Sequence, residues 1–150
     1  MDTILGSQPF KGQRLFLIDS NKLLLRSLYS EVYWLPGQVM ESNCHVMVIN
    51  FSKWDFESSS HSFDPNCSCG FWSCFSRRYL GKVQSGQIKS SEVISAQIEQ
   101  WGRVAKHEFG YRSEYARIIP ETIHVYPRQY SSNVQKKILW TIKTKYMEGK

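Results

Sequence analysis

A mainly β chain of the α+β type is what the sequence predicts: a small antiparallel sheet or partly open barrel with a C-terminal helix packed on it. Three observations point there. Short apolar or aromatic runs recur about every ten residues, separated by Gly, Pro, Ser, Asn and Asp. Residues 93–104 alternate with a period of two, Ile94, Ala96 and Ile98 on one side and Ser95, Gln97 and Glu99 on the other. Only residues 131–148 carry a helical period. There Val134, Ile138, Ile142 and Tyr146 recur every four residues, Lys136, Lys137 and Lys143 face away, and Ser131 or Ser132 stands ready to cap.

Each element follows in order. Residues 1–12 read as a loose lead-in, broken by Gly6, Pro9 and Gly12. Residues 13–18 are strand-like, Asp19-Ser20-Asn21 supplies turn chemistry, and 22–29 read as the returning strand of a hairpin. Residues 31–35 are extended until Pro36-Gly37 breaks them, and 46–49 are a short buried strand. The Ser- and Asp-rich stretch 52–65 reads as a loop, 71–75 as an aromatic strand and 81–91 as a polar loop. Gly110 marks a turn after which 111–119 form the partner of 93–104, and Pro120 and Pro127 bracket a short strand at 122–126. Neither an internal repeat nor a linker divides the 150 residues, so residues 1–150 are expected to form a single domain.

With 41% hydrophobic and 14% aromatic residues, the chain has enough apolar surface to offset the entropy of ordering. No run approaches the roughly 20 apolar residues of a membrane helix, and the first residues lack the pattern of an export signal. The expectation is a cytoplasmic protein with no membrane partner. Walker, GxGxxG, GxSxG and HExxH motifs are absent, which removes the nucleotide-binding and hydrolase classes they mark. The net charge of +6 is uneven: residues 1–75 hold five Lys/Arg and seven Asp/Glu, residues 76–150 fourteen and six. A half this basic attracts polyanions, so nucleic acid, a nucleotide or an acidic protein surface is the expected partner.

The cysteines are Cys44, Cys67, Cys69 and Cys74. In a reducing compartment they bind metal, do redox chemistry or pack as small apolar groups. Cys67-Ser68-Cys69-Gly70 is suggestive, because the glycine allows a tight turn around a ligand pair. A tetrahedral zinc site would take Cys44, Cys67, Cys69 and either His61 or, as the alternative ligand, Cys74. Reduced cysteines in a β core without metal are the competing expectation.

Two stretches resemble, together, an uncharacterised family of small bacterial proteins. Pro65 to Ser73, preceded by Leu35-Pro36-Gly37 and Cys44, is similar to that family's CxCGIYA-like run. Trp101-Gly102-Arg103-Val104, His107-Glu108, Gly110-Tyr111-Arg112 and Glu114-Tyr115-Ala116 are similar to its WGRV-xx-HExGYRAEYA-like run. The sequence departs from it at Phe71-Trp72, at Ser113 and in a longer insert between Cys44 and Cys67. The resemblance covers about residues 30–120 and implies a shared fold; it carries no activity.

The second run gathers Trp101, Arg103, His107, Glu108, Tyr111, Arg112 and Glu114. If the two strands pair around Gly110, Arg103 and Arg112 lie on neighbouring strands, placed to clamp a carboxylate or phosphate. Equally, the charges form a cross-strand salt-bridge ladder. The expected function is a non-catalytic binding module whose basic half docks an anionic partner, with zinc as a possible structural cofactor. Two alternatives stay open: an enzyme on a small anionic substrate with His107 as acid/base, and a regulatory protein-protein adaptor of phage or defence type.

Overall fold

Strand β9 (Val93–His107) pairs with four of the other described strands, more than any other. From Ala96 its burial alternates as the sequence reads, with Ala96 and Ile98 enclosed and Gln97 and Glu99 half-buried, whereas Ser95 is enclosed together with Ile94. A computed structural model describes residues 3–5, 9–28, 32–42, 48–50, 53–55, 69–80, 93–125 and 133–149. The other strands are β1 (Thr3–Leu5), β2 (Phe10–Asp19), β3 (Leu24–Arg26), β4 (Tyr33–Trp34), β5 (Met40–Glu41), β6 (Val48–Asn50), β7 (Lys53–Asp55), β8 (Phe71–Cys74), β10 (Gly110–Ile118) and β11 (His124–Val125). A helix, α1 (Asn133–Glu148), follows.

All the pairings are antiparallel. One edge of β9 takes β2, from Phe10 opposite Gln100 to Leu17 opposite Val93, and β1 continues along β9 at residues 104–106. The other edge takes β10 through the turn after His107. Strand β10 also pairs with β8, and β8 reaches back to β2 at Gln13 opposite Cys74. The sheet is therefore partly ring-like without becoming a clear barrel, and a C-terminal helix packs on it.

Two glycines permit this geometry. Gly110 sits against the Ser73 carbonyl of β8, where a Cβ would collide with backbone. Gly102 has a φ of +78°, in the left-handed region, and with Arg103 stands opposite the single residue Glu114, a bulge of two residues against one. The bulge carries β9 past the end of β2.

The main core gathers Phe16, Ile18, Leu25, Trp34, Met40, Ile94, Ile98, Ala116, Ile118 and Ile123 beneath Ile142 and Tyr146 of α1. Burying each large apolar side chain contributes about 1.5–3 kcal/mol. The Tyr146 hydroxyl fixes the helix: it donates to the Trp34 carbonyl (2.5 Å) and accepts from the Leu25 amide (2.8 Å). Burial pushes its pKa up to about 12. A second, smaller cluster holds Leu15, Leu28, Cys74, Leu80 and Val93.

The differences from expectation have local causes. Within the expected lead-in, Thr3–Leu5 is an edge strand and β2 begins at Phe10, because β9 is long enough to offer both a partner edge. Lys53–Asp55, expected in a loop, pairs with Val48–Asn50. The returning strand of the first hairpin shrinks to Leu24–Arg26, since Leu23 adopts a φ of 54° to finish the turn. The second half of the expected strand 122–126 is present as β11, but its start is a short 3-10 turn, Pro120–Thr122. On α1, Lys136 and Lys137 are exposed while Lys143 is half-buried. The polar stretch 81–91 and the caps Ser131 and Ser132 lie outside the described residues.

Replacing Tyr146 with Phe strands a buried amide and a buried carbonyl, so urea unfolding is expected to show a loss of about 2–3 kcal/mol with an unchanged denaturant slope. The Asp19 carboxylate accepts from the Tyr33 hydroxyl (2.7 Å) and from the Lys22 and Asn21 amides, which holds its pKa below the usual 3.8. A depressed acid stabilises the fold above its unfolded value and loses that contribution as pH falls through the folded one. Asp19→Asn is therefore expected to flatten the acid limb of stability against pH; an unchanged limb would contradict the contacts.

Candidate functional site

The hairpin of β9 and β10 brings the motif residues together because Gly110 starts β10 directly opposite His107. Tyr111 then faces Lys106, Arg112 faces Ala105, Ser113 faces Val104 and, beyond the bulge, Tyr115 faces Trp101. Three clusters of aromatic rings and cations result.

The first is centred on Trp72 of β8. The His107 ring lies 4.6 Å from it and the Arg112 guanidinium 6.0 Å. Arg112 is only 2% exposed, and its Nη1 donates to the Cys69 carbonyl at 3.1 Å. Nε2 of His107 lies 3.0 Å from the Ser73 carbonyl and 3.2 Å from that of Tyr111, while Nδ1 accepts from the Phe109 amide. Since both Nε2 partners are acceptors, the network assigns the proton to Nε2. Both nitrogens thus serve the backbone of the turn, and Glu108 is exposed at its tip.

In the second cluster Tyr111 stands between Phe10 and Phe75, each ring centroid 5.0 Å away, with the Lys106 ammonium 5.4 Å from Phe75. Phe75 and Lys106 are exposed and Tyr111 is half-buried. In the third, Trp101 stacks on Tyr115 at 6.0 Å and 20°, and the Arg117 guanidinium lies 5.9 Å from Trp101. Arg117 also pairs with Glu99 at 3.4 Å and borders a cavity of about 310 Å³ lined by Gly37, Glu99, Ile118, Ile119, Pro120 and Glu121.

Arg103 and Arg112 do not meet at one carboxylate. Arg103 pairs with Glu114 (3.1 Å), with its side chain 48% exposed, whereas Arg112 turns to the Cys69 carbonyl. So exposed a pair is worth about 0–1 kcal/mol and leaves the arginine accessible to an anion. His107 and Arg112 share Trp72; Arg103 belongs to the bulge. Sequence reasoning missed Phe10, Trp72, Phe75, Lys106 and Arg117. Lys106 and Arg117 were readable once the hairpin register was fixed, since they pair opposite Tyr111 and Glu99. Trp72 and Phe75 belong to the aromatic run 71–75 and Phe10 to the expected lead-in, and their place beside the hairpin is set by chain distant in sequence.

Of the expected zinc ligands, Cys44, His61 and Cys67 lie outside the described residues. Cys69 is half-buried beside Gly70. Cys74 is wholly buried with Leu15, Leu28, Leu80 and Val93, and desolvation pushes its thiol up to about 11, so the bare group stays protonated at neutral pH. Among the described residues no three His, Cys, Asp or Glu side chains gather as a metal site, and no helix is long and apolar enough to cross a membrane.

No family model, curated protein or solved structure matches the chain.

The burial of Cys74 has a measurable consequence. Cys74→Ser is expected to leave the count of fast-reacting thiols in the native protein unchanged, and to lower by one the count after unfolding in guanidinium. Loss of a fast-reacting thiol in the native variant would place Cys74 at the surface.

Proposed function

We propose that the chain is a non-catalytic binding module that takes a single-stranded nucleic acid along the β9–β10 hairpin. The observation that carries this is the pairing of rings with cations at two places along the hairpin: Lys106 and Tyr111 beside Phe75, and Trp101 with Tyr115 and Arg117. Rings offer every base a face to stack on, and the cations neutralise phosphates, a combination that needs no fixed sequence. The basic balance of residues 76–150 supplies the long-range attraction. The cavity beside Arg117 and Glu99 is at the small end of ligand sites, room enough for a base turned out of the strand.

Fluorescence anisotropy of labelled oligo(dT) and oligo(U), titrated at several salt concentrations, tests this. Binding is expected to weaken steeply with salt. Trp101→Ala is expected to reduce affinity roughly tenfold, the loss of one stacked base, and Lys106→Gln to lower the log–log salt slope by about 0.7, the loss of one phosphate contact. A folded protein that binds neither oligonucleotide at low salt overturns the proposal.

A further inference from the structure

Helix α1 buries Ile142 and Tyr146, and what it leaves outward is unusual. Trp140 is 69% exposed, the most exposed of the large apolar side chains described, and Met147, two turns on along the same line of the helix, is 43% exposed. Lys136, Lys137 and the half-buried Lys143 stand at i−4, i−3 and i+3 from Trp140, so three lysines share its side of the helix. From Asn133 to Met147 the helix contains no acidic residue. A solvated face needs lysines and has no use for a bare indole, whose apolar area stays in water in the free protein. Partial burial first, and then the charges of Lys143 and Arg77, hold the pKa of His124 on β11 below its usual value, so the positive field reaches off the helix.

We propose that this face of α1 is a second nucleic-acid contact, in which Trp140 stacks on a base while Lys136, Lys137 and Lys143 hold the flanking phosphates. For its partner it rests on the single-strand proposal made for the hairpin. The charge complementarity is specific to a polyanion with planar groups between its charges. Lysines spaced along a helix that rises 1.5 Å per residue spread over a length comparable with successive phosphates, and the indole sits between them.

The test compares the parent with Trp140→Ala, Trp140→Phe, the double variant Lys136→Gln/Lys137→Gln, and Trp101→Ala on the hairpin. The probe is a labelled twenty-nucleotide oligo(dT), with anionic phosphatidylserine vesicles as a separate arm. Because Trp140 makes no part of the core, circular dichroism and unfolding midpoints are expected to match the parent. Trp140→Ala is expected to weaken binding roughly five- to a hundredfold, Trp140→Phe to keep most of the affinity, and the double lysine variant to lower the salt slope by about 1.4. Quenching of the exposed-indole fluorescence by unlabelled oligo(dT) is expected in the parent and reduced in Trp140→Phe. If the helix variants match the parent while Trp101→Ala weakens binding, the helix contact is overturned and the hairpin proposal stands. If the parent binds no oligonucleotide, both fall. Binding to the vesicles alone, lost in Trp140→Ala, assigns the face to a lipid surface and overturns the proposal.

Discussion

Inside the ring of β2, β8, β9 and β10 the contact that holds the strands in place is polar. The Gln100 amide donates to the Phe71 carbonyl at 2.8 Å and to the Ser113 hydroxyl at 3.2 Å, and its oxygen accepts from the Ser73 hydroxyl at 2.5 Å. One side chain of β9 thereby grips both β8 and β10, and Gly12 of β2 packs so closely on Ser73 and Gln100 that a Cβ has no room. Gln100, Ser73 and Ser113 fill the space beside Gly12 and satisfy one another. Each buried partner left unpaired costs about 1–3 kcal/mol, which makes the arrangement selective for one register. The position of Trp72, and with it those of His107 and Arg112, depends on β8 being held there.

A similar logic governs Arg14. Its stem is half-buried and its guanidinium is enclosed, 5.1 Å from the Trp34 ring and 5.7 Å from Phe16. Nη1 donates to the Trp72 carbonyl at 2.9 Å and Nη2 to the Ser27 hydroxyl at 3.3 Å, while Nε finds no partner among the described residues. Desolvation lowers its pKa to about 10, still charged at neutral pH. The rings and the Trp72 carbonyl stand in for a counter-ion, and Arg14 ties β2 to β8 from the same sheet face as Gln100.

How much of this was legible in the sequence divides along the range of the interaction. The alternation at Ile94, Ala96 and Ile98, the turn at Gly110 and the four-residue recurrence ending at Ile142 and Tyr146 are local patterns, and each names its element. The pairing of the WGRV and GYRSEYA segments follows from them. What local pattern did not reveal is decided by distant chain. Gly102 is an ordinary strand residue until β1 and β2 must share one edge of β9; only then is a bulge needed, and the bulge sends Arg103 to Glu114 and away from Arg112. Cys74 reads as a candidate ligand until Leu15, Leu28 and Leu80 close over it. Arg14 is one residue of the expected strand 13–18 in the sequence, and only the fold sets it over Phe16 and Trp34. The WGRV and GYRSEYA segments thus have a structural content of their own: Gly102 for the bulge, Glu114 for its arginine, Tyr115 for Trp101.

The order of the strands also constrains how the fold is reached. Strand β2 lies near the start of the chain, but both its long partner and the strand that completes the ring come much later, β9 far beyond the middle. During synthesis β2 can meet the short strand β3 and, at Gln13, β8, but its long partner is missing until β9 has left the ribosome. The β9–β10 hairpin, by contrast, is local and quick to zip. The long pairing of β2 therefore cannot close before the C-terminal half that carries β9 has been made.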